Sequence, residues 1–350
     1  MPKKIRVLVV DDSSVVRNIL ATELSKDPEI EVVATAADPY IARDKIVLLE
    51  PDVLTLDVEM PRMDGVTFLG KLMASKPMPV IILSSLTPSG CETALKALEL
   101  GAIDVMQKPE MDLAAKLSEM IQQLCDRIKA AYSAKYRFQV KAQRLTPTVR
   151  PPIVMSAMMK TTDKIVVIGA STGGTEAIRA IIPILPADFP GVVITQHMPE
   201  KFTQTFAESL NATSKLEVRE AQNNDTVRPG LVLIARGNYH MLLRRSGARY
   251  YVEVKDGPLV CRQRPSVEVL FDSAAKYAGR NAIGVILTGM GNDGAQGLLH
   301  MREAGAFTIA QDEKSCVVYG MPKEAVKVGA AQKILPLDEI PGEIAAHLAK

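Results

Sequence analysis

The chain has 350 residues, 47% of them hydrophobic and 23% charged, with a formal net charge of +2. That length exceeds one ordinary hydrophobic core and points to two domains, and near-balanced charge gives no electrostatic reason to expect a nucleic-acid partner. No apolar run is long enough to cross a bilayer. The opening Met-Pro-Lys-Lys-Ile-Arg leads straight into a strand with no separate apolar segment to cleave, so no signal peptide is expected, and with no spanning run no membrane insertion either; a cytoplasmic protein is expected from the cysteines that follow. Cys91, Cys125, Cys261 and Cys316 are scattered, without a Cys-x-x-Cys or Cys/His cluster. They read as reduced thiols and argue against a disulfide framework or a zinc site.

The first part alternates strand and helix signals. Strands are expected at Ile5–Val10, Glu31–Ala34, Val53–Leu56, Val80–Leu83 and Asp104–Met106, with amphipathic stretches near Ser14–Leu24, Ile41–Leu49, Gly65–Ala74, Cys91–Leu100 and Leu113–Ile128. Five βα units imply a doubly wound parallel sheet, and ligands on such sheets bind beyond the carboxyl ends of the strands. Asp11 and Asp12 follow the first strand, Asp57 the third, Ser84 the fourth and Lys108 the fifth. Carboxylates converging on one edge repel one another unless a cation joins them, and hard oxygen ligands suit Mg²⁺. A lysine and a hydroxyl facing the same spot would hold a phosphoryl group on one of the aspartates. Helix capping alone explains one or two of the aspartates but not Lys108-Pro109 after the fifth strand.

Asp11-Asp12, Leu56-Asp57-Val58-Glu59-Met60-Pro61, Met63-Asp64-Gly65, Ser84 and Lys108-Pro109 resemble the receiver domain of two-component response regulators. The resemblance implies a flavodoxin-like fold, Asp57 as phosphoacceptor, Asp11, Asp12 and Asp57 as Mg²⁺ ligands, Ser84 as the switch hydroxyl and Lys108 as the phosphoryl partner. One departure is Val105, which stands where many receivers carry an aromatic residue, so a switch based on a rotating ring is not expected.

From Lys129 through Lys160 the chain carries basic residues, among them Lys135, Arg137, Lys141, Arg144 and Arg150, and no acidic one. Pro147, Pro151 and Pro152 break any helix there, so an extended tether is expected, its earlier part continuing the preceding helix. It serves either as a solvated linker or as a docking segment for an acidic partner.

Parallel-sheet signals resume at Ile165–Ile168, Gly191–Thr195, Leu231–Ile234, Ile283–Leu287 and Ala306–Ala310, with an antiparallel-looking pair, Met241–Arg245 and Tyr250–Lys255, inserted between them. Helices are expected near Thr175–Ile182, Thr203–Leu210, Ser266–Tyr277, Ala295–Glu303 and Pro341–Leu348. After the first of these strands, Gly169-Ala170-Ser171-Thr172-Gly173 fits the Gly-x-Ser-x-Gly nucleophile elbow, which lifts a serine above the sheet edge. A Gly-rich phosphate loop or a plain tight turn is the alternative. A serine needs a base, and the chain has 4 histidines. His300 and His347 read as structural or surface residues; His197 and His240 both follow strands and could each reach Ser171. Asp293, in Thr288-Gly289-Met290-Gly291-Asn292-Asp293-Gly294, is placed to orient the base, although a helix cap would explain it too. The order Ser…His…Asp is not that of α/β-hydrolases. A dinucleotide site would want glycine at Ser171 and an acidic residue where Gln196 and His197 stand.

A receiver followed by G-A-S-T-G-G-T, I-T-Q-H-M, R-P-S-V-E-V-L-F and T-G-M-G-N-D-G resembles the CheB family of chemotaxis protein-glutamate methylesterases nearly end to end. The resemblance implies residues 1–129 as receiver, 130–162 as linker and 163–350 as a Rossmann-like α/β methylesterase domain with an inserted antiparallel pair. It selects His197 over His240 as the base and implies an oxyanion site from the N–H groups of Thr172 and Met290. It further implies glutamate methyl esters on chemoreceptors (methyl-accepting chemotaxis proteins) as substrate, with deamidation of receptor glutamines in some members. A chemotaxis histidine kinase would be the phosphodonor, and the esterase chemistry would need no cofactor. The expected regulation is an unphosphorylated receiver that covers the mouth of the second domain, a contact that charge at Asp57 weakens. A transcription factor would instead need a compact basic helical reader, and an inactive scaffold would not need the triad candidates.

Overall fold

The computed structural model describes residues 3–108, 114–142 and 163–349, which fall into two compact units, Met1–Pro147 and Thr148–Lys350. In the first unit the order is β1 (Ile5–Val10), α1 (Ser14–Leu24), β2 (Ile30–Ala36), α2 (Pro39–Leu49), β3 (Val53–Asp57), α3 (Gly65–Ser75), β4 (Val80–Ser84), α4 (Pro88–Glu99), β5 (Asp104–Gln107) and α5 (Ala114–Ala142). The five strands are parallel in the order β2-β1-β3-β4-β5. β3 and β4 are buried along their whole length, which is why they read as unbroken apolar runs. Ser13, Asp38, Asp64 and Thr87 each cap the helix that follows with a side-chain oxygen. The strand order reverses between β1 and β3, so Asp11, Asp12 and Asp57 lie at the switch point. α5 carries the first part of the basic connector, with Lys135, Arg137 and Lys141, as helix; Pro109, Arg144, Pro147, Arg150, Pro151 and Pro152 lie outside the described residues.

The second unit runs β6 (Ile165–Ala170), α6 (Gly174–Ile181), β7 (Gly191–Gln196), α7 (Phe202–Thr213), β8 (Glu217–Glu220), β9 (Thr226–Val227), β10 (Leu231–Ile234), β11 (His240–Ser246), β12 (Arg249–Lys255), α8 (Val267–Tyr277), β13 (Ala282–Ile286), α9 (Ala295–Glu303), β14 (Phe307–Gln311), α10 (Met321–Lys327), β15 (Lys333–Leu335) and α11 (Ile340–Leu348). Seven strands form one parallel sheet, β15-β14-β13-β6-β7-β10-β8. The expected antiparallel pair is β11 and β12, and β9 joins it as a third strand. Beyond the expected elements the sheet gains the edge strands β8 and β15, and α10 precedes the latter. Val167, Val193, Leu233, Val267, Leu270, Phe271 and Leu298 belong to a core between the sheet and its covering helices. The strand order reverses at β6, with β7 on one side and β13 on the other, so the loops after β6 and β13 open a crevice between them. Among the described residues no helix is long and apolar enough to cross a membrane.

Candidate functional site

In the first unit, Asp11 and Asp57 are fully buried while Asp12 is exposed, and one carboxylate oxygen from each lies within 4.8 Å of the others. Backbone donors fix two of the carboxylates: Ser13 N–H donates to Asp11 Oδ1 and Glu59 N–H to Asp57 Oδ1, each at 2.9 Å. Lys108 closes the pocket, its Nζ 2.6 Å from Asp57 Oδ2 and 3.1 Å from Asp11 Oδ2. Burial pushes the Asp57 carboxyl up to about 6 against the pull of Lys108 and the Glu59 N–H, and Asp11 adds to the rise. Burial works against charge on Lys108, but its bonds to Asp57 and Asp11 outweigh this and hold the ammonium above its ordinary value. Ser84 is buried at the end of β4, and its hydroxyl donates to the Gly90 carbonyl in the first turn of α4 at 3.0 Å. Thus four of the expected residues meet at one point, and the fifth has its hydroxyl engaged elsewhere. Val105 is buried, with no ring at that position to rotate.

The second cluster forms at the crevice. β6 ends at Ala170, and Gly173 takes the left-handed conformation (φ +77°) that turns the chain into α6. Ser171 sits at the turn, 8% exposed, its N–H donating to the Thr288 carbonyl of the loop after β13 at 3.0 Å. His197 directly follows β7, and its N–H bonds the Ala170 carbonyl at 3.1 Å, which ties His197 to the Ser171 turn through the ladder itself. Its ring bridges the other two residues: Nδ1 lies 3.0 Å from Ser171 Oγ and Nε2 lies 2.7 Å from Asp293 Oδ2. A carboxylate only accepts, so the hydrogen sits on Nε2 and the Nδ1 lone pair faces the serine hydroxyl.

Asp293 is held from several sides. Its Oδ2 also accepts from Val267 N–H at 2.8 Å, and its Oδ1 accepts from the Ser266 hydroxyl at 2.8 Å and Glu268 N–H at 2.9 Å. The carboxylate therefore lies on the N-terminus of α8, where the helix dipole favours negative charge. Burial alone would raise its pKa, but the bond and charge of His197, the Glu268 N–H and the Ser266 hydroxyl more than offset this and hold it below the usual carboxylate range. Gln196 clamps the other side: its Nε2 donates to the carbonyls of Ser171 at 2.9 Å and His197 at 3.1 Å.

The other histidines do not join this cluster. His240 is buried and spends its ring on the Pro258 carbonyl and the Ser266 N–H. His300 pairs with Asp272 at 2.7 Å, and His347 stacks on Phe307 with ring centroids 4.0 Å apart. Thr172 and Met290 lie on the two loops that meet at the crevice, where Gly289 backs onto Ser171 so closely that a Cβ added there would come within 2.7 Å of the serine Cβ. Gln196, Ser266 and Glu268 fall within the motifs I-T-Q-H-M and R-P-S-V-E-V-L-F, but their parts in the site are not legible in the sequence. Ser266 and Glu268 were visible as a helix start, but their contacts with Asp293 and the α9 turn come from loops distant in the chain.

A family model described as "CheB methylesterase" matches residues 166–344, and one described as "Response regulator receiver domain" matches residues 7–122. The "Protein-glutamate methylesterase/protein-glutamine glutaminase 3" of Geobacter metallireducens is 55% identical, with 98% of each chain covered. The like-named protein 4 of Anaeromyxobacter dehalogenans is 59% identical, with 98% of this chain and 95% of the relative covered. Among solved structures, the CheB methylesterase catalytic domain of Thermotoga maritima is 40% identical at a TM-score of 0.52, covering 53% of this chain and 98% of that one. The chain therefore belongs to the CheB methylesterase family, with a response-regulator receiver domain ahead of the esterase domain.

Proposed function

We propose that this protein hydrolyses glutamate methyl esters, and deamidates glutamines, on chemoreceptors, with Ser171 as nucleophile, His197 as base and Asp293 as orienting carboxylate. The observation that carries this reading is the unbroken chain of contacts from Ser171 Oγ through the His197 ring to Asp293, at 3.0 and 2.7 Å. Ser171 Oγ attacks the ester carbonyl as Nδ1 takes its proton, and Asp293 stabilises the imidazolium through Nε2. The imidazolium then gives that proton to the departing methoxide, or to the amide nitrogen, and methanol or ammonia leaves. Water attacks the acyl-serine as His197 takes a proton from it, and His197 then returns that proton to Ser171 Oγ as the acyl bond breaks and free glutamate leaves. Base catalysis of this kind is worth about 10²–10⁴-fold. The N–H groups of Thr172 and Met290 are the oxyanion donors, each worth about 10²–10³-fold. In support, Gly289 brings its loop against Ser171, and the Met290 N–H has no hydrogen-bond partner among the described residues.

Control lies at Asp57. Asp11, Asp12 and Asp57 would hold Mg²⁺, an all-carboxylate donor set that suits a hard cation. Bound there, the cation would neutralise charge on the transferring phosphoryl oxygens. Lys108 is placed to pair with the phosphoryl group on Asp57, and Ser84 to leave the Gly90 carbonyl for a phosphoryl oxygen. The phosphodonor is a chemotaxis histidine kinase, and the site of action is the cytoplasm. Methanol release from methylated receptor membranes, with and without a small phosphodonor, tests the whole reading. Equal release by Ser171→Ala and the unaltered protein would remove the assignment.

A further inference from the structure

We propose that His240, a buried histidine outside the reacting trio, is a positioning residue that fixes Asp293 through Ser266; this rests on the reading of Ser171, His197 and Asp293 as the working triad. His240 opens β11 and is 3% exposed, so neither ring nitrogen is satisfied by bulk water. Its Nδ1 accepts from the Ser266 N–H at 3.3 Å, and its Nε2 faces the Pro258 carbonyl at 2.8 Å. A carbonyl only accepts, so Nε2 carries the hydrogen and Nδ1 is left as the acceptor. Both contacts are satisfied together by the neutral ring in this one tautomer, since a proton on Nδ1 would set N–H against N–H.

Ser266 is the hinge of the arrangement. It is fully buried, and its hydroxyl donates to Asp293 Oδ1 at 2.8 Å while its backbone N–H leans on His240. The residues after it, Val267 and Glu268, supply two further donors to the same carboxylate. Among the described residues, three of the four hydrogen bonds to Asp293 thus come from Ser266–Glu268, the segment whose first residue His240 holds. The same ring anchors the loop before it through Pro258, while Arg264 holds Asn238 and the Gly257 carbonyl, so the approach to Ser266 is braced at both ends. Among the described residues, His197, Glu268 and Cys261 bear electrostatically on Asp293, while His240 reaches it through Ser266. Its influence is geometric: it sets where the carboxylate stands, and the carboxylate sets how strongly the His197 imidazolium is favoured.

The two ring nitrogens can be removed separately. His240→Asn keeps an acceptor near the Nδ1 position, whereas His240→Gln keeps a polar group near Nε2 and withdraws the acceptor from Ser266. Steady-state methanol release by the full-length protein on methylated receptor membranes, followed against pH, is the assay, with His197→Ala run in parallel. The expected result for His240→Gln is a kcat lowered about tenfold with KM within about twofold, since small misplacements of a catalytic group cost this much or more. The acid limb of kcat/KM should move to lower pH, because a loosened Asp293 favours the imidazolium less. His240→Asn should recover most of kcat and return the limb. A loss of activity with the limb unmoved, or equal losses in both variants, would reduce His240 to a packing residue and overturn the proposal, as would unchanged activity in His240→Gln. Full activity in His197→Ala would instead overturn the triad reading on which it rests.

Discussion

Ser171 and Asp293 stand at opposite ends of one hydrogen-bonded chain, and their removal should cost different amounts. On the proposed mechanism the Ser171 hydroxyl is the nucleophile, so Ser171→Ala should fall to background methanol release with its folding intact. Asp293→Asn keeps the size of the side chain but loses the charge that favours the imidazolium, so a smaller loss, about 10⁴-fold in kcat, is expected. Asp293 also bears on stability. Its pKa is depressed on folding, so its contribution is present above the ordinary carboxylate value of 3.8 and is lost as the pH falls through its lower folded value. Asp57 runs the other way. With its carboxyl pushed up to about 6, a proton would compete with the proposed cation below that pH. Mg²⁺ affinity should therefore weaken about tenfold between pH 7 and pH 5, with proton release on binding, and Asp57→Asn should bind weakly with a flatter dependence. Calorimetric titration in two buffers of different ionisation enthalpy would read this directly, and a pH-independent affinity in the unaltered protein would contradict it.

α8 reaches Asp293 because it lies on a bed of glycines. A Cβ at Gly169 would come within 2.2 Å of Val267 Cγ1, one at Gly294 within 2.4 Å of the same atom, and one at Gly297 within 2.7 Å of Phe271 Cβ. Gly169→Ala should push the helix outward, destabilising the domain by about 1–3 kcal/mol through overpacking. It should also lower kcat beyond what the lost stability explains, because the donors to Asp293 ride on the displaced helix. A variant with a lowered melting temperature but unchanged kcat at 20 °C below it would show that the helix position is not critical. These close approaches explain which parts of the fold were legible in sequence. Central strands such as β6, β7 and β13 are buried on both faces and announce themselves as apolar runs. The edge strands escaped: β8 is Glu-Val-Arg-Glu and β15 only Lys-Ile-Leu, too short and too polar for a period to emerge. The triad candidates were legible because strand ends and glycines mark the crevice. His197 and His240 both follow strands, so the residues alone do not separate them, and in the sequence only the family resemblance favours His197. The structure separates them by the partners of their rings.

Across the whole chain, chemistry is divided between two parallel sheets, each with its polar cluster at the point where strand order reverses. One cluster is acidic and includes the proposed phosphoacceptor Asp57; the other is a serine site that needs no phosphate to assemble, since its contacts are complete within the second unit. Phosphorylation therefore has no bond to make in the esterase chemistry itself. The simplest way for it to act is to lift a restraint that the receiver imposes. A chain beginning at Thr162 should then release methanol faster than the unphosphorylated full-length protein, and a phosphodonor should leave it unchanged. Asp57→Asn in the full-length chain should stay at the low rate whether or not the donor is present. If the truncated chain is no faster than the unphosphorylated full-length chain, while the phosphorylated one is faster than both, restraint is the wrong description. The receiver would then have to contribute positively to the reaction, by helping to hold the receptor or by improving the site after Asp57 is modified. A kcat-against-KM split on receptor membranes would distinguish these: receptor capture lowers KM at constant kcat, whereas an improved site raises kcat.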